Sequence, residues 1–190
     1  MKKLVVFASG SGSNFQAIID GIEKKEINAQ ISGLITDRNG TGAVSRAKNH
    51  QIPFVEIDEK NPDLFTNRVI EQLNVWDPDL IVLAGFLRKI SDTVVQKYHN
   101  KIINIHPALL PKYGGKGFHG LNVHKAVIEA GDLESGCTVH YVNEEYDRGE
   151  IILQKRVEVR ENDTPKTLAA RVLKAEHKLL PTVINKLLKD

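Results

Sequence analysis

Asn104 and His106 stand two residues apart in INIHPALLPKYGG, where an apolar run ends in a proline and opens into a glycine-rich segment. On a strand, residues of equal parity share a face, so the amide and the imidazole point the same way. An amide N–H can donate to an oxygen that becomes negative during a reaction. An imidazole can take up or release a proton near neutral pH. Together they suit attack on a carbonyl. The same residues also fit a buried histidine held by a backbone carbonyl beside a turn-capping asparagine, and residue types alone leave both uses open. Position favours chemistry, because ligands of open α/β sheets bind beyond the carboxyl ends of the strands.

A second candidate stretch is ASGSGSN, residues 8–14, between an apolar run and a helical pattern. Glycines there let backbone N–H groups approach an anion, and a helix start favours negative charge. Ser11, Ser13 and Asn14 add polar side chains. A phosphate monoester, a dinucleotide and a plain turn all fit the motif. Against the dinucleotide, Phe15 occupies the place of the third small residue that helix–strand packing needs. Asp37, after the next apolar run, keeps that alternative open as a partner for a ribose hydroxyl.

NEEYDRGE, residues 143–150, carries a turn signal at Asp147-Arg148-Gly149. If this turn folds over His106, the Asp147 carboxylate orients the ring and raises its pKa, keeping it protonated. Otherwise the acidic residues only solvate a loop. The histidines and the single Cys137 lack zinc-ligand spacing, so no metal is expected. No G-x-S-x-G elbow is present to make a serine nucleophile.

These residues need a frame to hold them. Short apolar runs at 3–8, 29–36, 53–57, 79–86 and 101–105 alternate with helical patterns at 14–25, 42–50, 61–75 and 91–98. That order implies an α/β fold with an open, mostly parallel, Rossmann-like sheet and helices on both faces. A helix at 123–131 follows, then strands at 136–142 and 149–159 that form an antiparallel edge. The last helix starts at Asp163 or Thr164, with Pro181 expected to kink or restart it. No linker divides the chain, so residues 1–190 read as one domain. The net charge of +2 gives no footing for nucleic acid. The first apolar run is too short for a signal peptide or membrane span, and one cysteine fits a reducing compartment, so the reading is cytoplasmic.

FASGSGSN, LAGFLRKI (83–90), INIHPALLPKY (103–113), GCTVHYVNEEYDRGEII (136–152) and AEHKLLP (175–181) together resemble the folate-dependent formyltransferases, in the branch that acts on glycinamide ribonucleotide. The likeness runs from end to end in the same order. It implies transfer of formyl from 10-formyltetrahydrofolate to the glycinamide amine in purine biosynthesis. It implies Asn104, His106 and Asp147 as the catalytic trio. Gly12, Ser13 and Asn14 would hold the phosphate and Glu176 the ribose. Leu87, Arg88, Lys89, Ile90, Asn104 and Val142 would line the folate pocket. Longer relatives carry a further domain for which this chain has no room. The loop 112–124 is longer than the family's usual loop, and its part 112–120, with glycines at 114, 115, 117 and 120, reads as a mobile lid. Lys60 and Arg68 are the basic candidates for a further folate contact. The competing readings are a formyl hydrolase, which needs no phosphate loop, a formyltransferase acting on another amine, and a nucleotide-sensing module, which has no use for Asn104 and His106.

Overall fold

Residues Lys2–Phe7 (β1) show why the sheet lies at the centre. Leu4 and Val6 pack into one apolar layer and Val5 and Phe7 into the other, all fully buried. A strand covered on both faces needs an unbroken apolar run, as parallel sheets do. The computed structural model describes residues 1–189. After β1 the chain forms α1 (Ser13–Glu23), β2 (Ala29–Thr36), α2 (Gly42–Asn49), β3 (Phe54–Glu56), α3 (Pro62–Trp76), β4 (Leu80–Leu83) and α4 (Asp92–Lys97). Then follow β5 (Ile102–His106), α5 (Leu121–Glu129), β6 (Glu134–Tyr141), β7 (Ile151–Glu158) and α6 (Pro165–Lys189). The strands make one sheet in the order β3-β2-β1-β4-β5-β6-β7. The first five are parallel, and β6 and β7 are antiparallel to their neighbours. This is the expected α/β architecture with its antiparallel edge. Helices α1, α5 and α6 cover one face through Phe15, Val127 and Leu180, and α3 and α4 the other through Phe65 and Val94.

Local chemistry sets most helix starts. The Asn61 side chain accepts from the N–H groups of Asp63 and Leu64 at 2.9 and 3.1 Å, ahead of Pro62 in the first turn. Of the two candidates for capping α6, Thr164 does so, accepting from Thr167 N–H at 3.2 Å. Asp163 instead pairs with Arg171 through two bonds, at 2.5 and 2.9 Å.

Two expectations need correction. Helix α6 does not restart at Pro181 but continues unbroken from Pro165 to Lys189. Its packing against α1, α5, β6 and β7 outweighs the lost bond, and Gly21 of α1 leaves room beside the proline ring. Strand β4 stops at Leu83 rather than 86, because Gly85 takes a positive φ of 75° and its carbonyl accepts from Ser9 N–H at 3.1 Å.

Candidate active site

The carboxyl end of β5 places Asn104 and His106 beside a cleft of about 380 Å³, and both line it. Past His106 the chain turns sharply, and the turn is pinned. The Thr138 hydroxyl donates to Ala108 C=O at 2.6 Å and accepts from Leu110 N–H at 3.1 Å. The Tyr113 hydroxyl donates to Asp132 at 2.9 Å. With Tyr113 held, its carbonyl accepts from His106 Nε2 at 2.7 Å. A carbonyl cannot donate, so Nε2 carries the hydrogen and Nδ1 is the basic nitrogen. Nδ1 faces Asp147 Oδ2 at 3.6 Å.

Asp147 reaches this point because the β6–β7 connection folds back over the sheet. Gly149 lies so close to the Tyr141 carbonyl that a β-carbon would come within 1.7 Å of it, and Asp147 itself adopts a positive φ of 54°. Its Oδ2 accepts from Gly115 N–H at 2.8 Å, which ties the glycine-rich loop to the turn. The expected meeting of Asn104, His106 and Asp147 is therefore present in the geometry.

A fourth residue joins them that the sequence reading passed over. His140 on β6 pairs in register with Asn104 across the antiparallel ladder. Its Nδ1 donates to the Tyr141 carbonyl at 2.8 Å, which leaves Nε2 to accept from the Asn104 amide at 3.1 Å. The Asn104 amide also faces Asp147 Oδ1 at 3.5 Å, the outer limit for such a bond. That N–H is the one for which a ligand oxygen can compete.

Burial decides the protonation of His106. Its side chain is almost wholly enclosed, and this pushes its pKa below the ordinary histidine value. The Asp147 carboxylate and the Tyr113 carbonyl pull upward, and neighbouring His140 pushes down. The expectation of a protonated His106 is thereby corrected: Asp147 raises the pKa as foreseen, but desolvation wins, and the resting ring is neutral. For Asp147 itself, burial works upward. The contacts from His140, His106 and the Gly115 N–H together outweigh it and hold the carboxyl below its usual range, so it is ionised.

The glycine–serine stretch ends β1. Gly12 caps α1 with φ 71°, and a β-carbon there would lie 2.7 Å from the Ala43 Cα. Its glycine is thus required by packing as well as by any ligand. Asn14 is buried, lines the cleft and donates from Nδ2 to Glu176 Oε2 at 2.6 Å, across 162 residues. Asn14 Oδ1 has no partner among the described residues. Burial raises the Glu176 pKa to about 7, against the Asn14 bond. Gly12 and Ser13 are not part of the cleft wall; Ser13 borders a separate depression with Gln16, Arg46 and His177. Asp37 also stands away from the cleft, beside Arg38 at 3.6 Å, and so gives no support to the dinucleotide alternative.

Leu87, Arg88, Lys89, Ile90 and Val142 all line the same cleft, as do Lys116 and His119 of loop 112–120. Lys60 and Arg68 do not. Of the cations that do, Arg88 is held by the protein itself: its guanidinium stacks 3.7 Å from the Phe65 ring centroid and donates to the Glu59 carbonyl.

A sheet with this strand order, carrying Asn, His and Asp at one carboxyl edge, matches a known pattern. The model of the family described as formyl transferase matches residues 2–184. The chain belongs to that family, in the branch of the phosphoribosylglycinamide formyltransferases. The Bacillus subtilis (strain 168) protein of that name is 42% identical over 191 residues, covering 99% of this chain and 95% of its own. The chloroplastic one of Arabidopsis thaliana is 43% identical over 187 residues, or 96% of this chain. This chain spans only 64% of that plant protein, and 62% of its Vigna unguiculata counterpart. The crystal structure of glycinamide ribonucleotide transformylase 1 from Geobacillus kaustophilus superposes with a TM-score of 0.92 at 38% identity, covering 99% of both chains. Phosphoribosylglycinamide formyltransferase from Bacillus halodurans gives 0.92 at 36% identity, covering 98% of this chain and 95% of that one.

Proposed function

We propose that this chain transfers the formyl group of 10-formyltetrahydrofolate to the amine of glycinamide ribonucleotide, a step in the making of IMP. The observation that carries the reading is the convergence of Asn104, His106 and Asp147 on one cleft that also holds Asn14 and Glu176. The amine nitrogen attacks the formyl carbon, and the carbonyl oxygen becomes an oxyanion. The Asn104 N–H that now faces Asp147 at 3.5 Å turns to that oxygen. Neutral His106 takes a proton from the attacking amine at Nδ1, and the resulting imidazolium is steadied by Asp147. The carbon–nitrogen bond to the folate then breaks, and the same proton passes to the folate nitrogen. His140 keeps the Asn104 amide turned the right way.

The N–H groups at 10–14 receive the phosphate, Gly12, Ser13 and Asn14 among them, while Glu176 takes the ribose hydroxyls. Leu87, Arg88, Lys89 and Ile90 line the pterin's side of the cleft, and the turn from Val142 to Asp147 closes over it. The chemistry needs no metal. Residues 1–190 act as one domain, and the site of action is the cytoplasm, a reading supported by the buried free thiol of Cys137. Among the described residues no helix is long and apolar enough to cross a membrane.

A folate-absorbance assay with each substrate alone and with both tests this reading. Turnover is expected only with both. Release of formate without the ribonucleotide would make the chain a hydrolase instead.

A further inference from the structure

Helix α2 presses against the glycine–serine loop, and the contact is specific. Ala43 N–H donates to the Gly10 carbonyl at 3.1 Å. Arg46 Nε donates to the Ser11 carbonyl at 3.0 Å, and its Nη1 donates to Gln16 Oε1 at 2.9 Å. The helix comes this close because neither facing position has a side chain. A β-carbon on Gly42 would lie 2.7 Å from the Ser11 oxygen, and one on Gly12 would lie 2.7 Å from the Ala43 Cα.

In a trans peptide the C=O and the following N–H point in opposite directions. With the Gly10 and Ser11 carbonyls drawn toward α2, the N–H groups of Ser11 and Gly12 point away from it. Neither these nor the N–H groups of Ser13 and Asn14 bond to any of the described residues. Helix starts leave such donors free, and here two loop donors are added to them. An independent sign of a ligand lies next to them. Asn14 is only 8% exposed, lines the cleft, and has its Oδ1 buried without a partner.

Resting on the formyltransferase reading, we infer that Arg46 is a positioning residue for the ribonucleotide's phosphate: together with the Ala43 N–H it holds two loop carbonyls turned toward α2, so that the Ser11 and Gly12 N–H groups face the anion. Arg46 acts through the Ser11 carbonyl and need not touch the phosphate. Gln16, held in turn by Asp20 at 2.8 Å, keeps the guanidinium in place.

The test compares wild type with Arg46→Met, which keeps length without a donor, and Arg46→Lys, which keeps the charge. Calorimetry measures glycinamide ribonucleotide and tetrahydrofolate separately. Amide NMR follows Ser11, Gly12 and Ser13 in the free proteins and during titration with inorganic phosphate. Arg46→Met is expected to weaken ribonucleotide binding roughly 10- to 100-fold and to raise its KM similarly, with kcat and folate affinity changed by no more than about twofold. The Ser11 and Gly12 amide signals should already move without ligand, and phosphate should shift them less. Arg46→Lys should recover only part of the loss. Unchanged ribonucleotide affinity in Arg46→Met, unmoved loop amides, or complete recovery with Lys would each overturn the inference, the last by making charge alone responsible. If wild type binds no ribonucleotide, the formyltransferase reading fails instead, and the phosphate titration still decides whether Arg46 sets the loop.

Discussion

Asn104 and His140 face one another across the β5–β6 ladder, and the amide of the first donates to the ring of the second at 3.1 Å. The Tyr141 carbonyl fixes the His140 tautomer, and the tautomer fixes which end of the amide it meets. Asn104 is thereby oriented before any ligand arrives.

In the proposed mechanism Asn104 is an oxyanion donor and His106 a proton carrier, so replacing either with Ala should lower kcat by about 100-fold or more. Affinity for both substrates should survive. Single-turnover rates alongside calorimetry check this, and a His106→Ala protein with near-normal kcat would take the ring out of the mechanism.

Asp147→Asn removes the carboxylate that raises the His106 pKa, so that already lowered pKa should fall further. In its proposed role as a base His106 works in its neutral form, and its limb of the kcat/KM profile rises with pH through that pKa. In the variant this limb should shift to lower pH while the plateau drops about 10-fold or more, because the imidazolium loses its partner. Acid should not restore the rate. Identical His106 titrations in the two proteins would show that the side chains do not interact.

Glu176→Gln should trade binding for stability. The buried carboxyl titrates near 7 in the folded protein, above its ordinary value of 4.5, so the folded state holds its proton more tightly than the unfolded one. Stability therefore falls as pH rises from about 4.5 to 7 and levels off above. The glutamine variant should show no gain at low pH and a gain of roughly 1–3 kcal/mol above neutrality. Its KM for the ribonucleotide should rise. Thermal melts across pH give the first half of the test and steady-state kinetics the second.

The two loop glycines should separate. Nothing lies within 4 Å of a β-carbon at Gly10, whereas Gly12 has positive φ and Ala43 against it. Gly10→Ala should melt like wild type, and Gly12→Ala should lose roughly 1–3 kcal/mol. Equal melting of the two would contradict the close approach of α2.

Hydrogen exchange in loop 112–120 should be uneven. Gly115 N–H is bonded to Asp147 and should be protected in the free protein. Lys116, Gly117 and Gly120, whose N–H groups have no partner among the described residues, should exchange fast, then slow with both substrates bound, as in a lid, while Phe118 and His119 are bonded to the Gly115 and Gly117 carbonyls. Uniform protection without ligand would rule a lid out.

Much of this was readable in the residues. Buried parallel strands must be apolar on both faces, so β1 and β5 stand out as runs, and the shared parity of Asn104 and His106 follows from strand geometry. His140 was not readable, because its link to Asn104 depends on the antiparallel register of β6. The return of Asp147 depends on the absence of a side chain at Gly149, where DRG signals a turn but not its direction. The charge of His106 depends on depth of burial, which spacing does not encode. The helix does not restart at Pro181 because the packing that carries α6 through it comes from elements distant in the chain.

The 2.6 Å bond between Asn14 and Glu176 joins an early residue to a late one. During synthesis the loop at 10–14 leaves the ribosome long before α6 exists. Until then the chain lacks both the Glu176 side of its cleft and the α6 side chains, Val172, Leu180 and Val183 among them, that complete the core layer beside β1. Ribonucleotide binding should switch on only once Glu176 has emerged, making it a marker for the docking of the last helix.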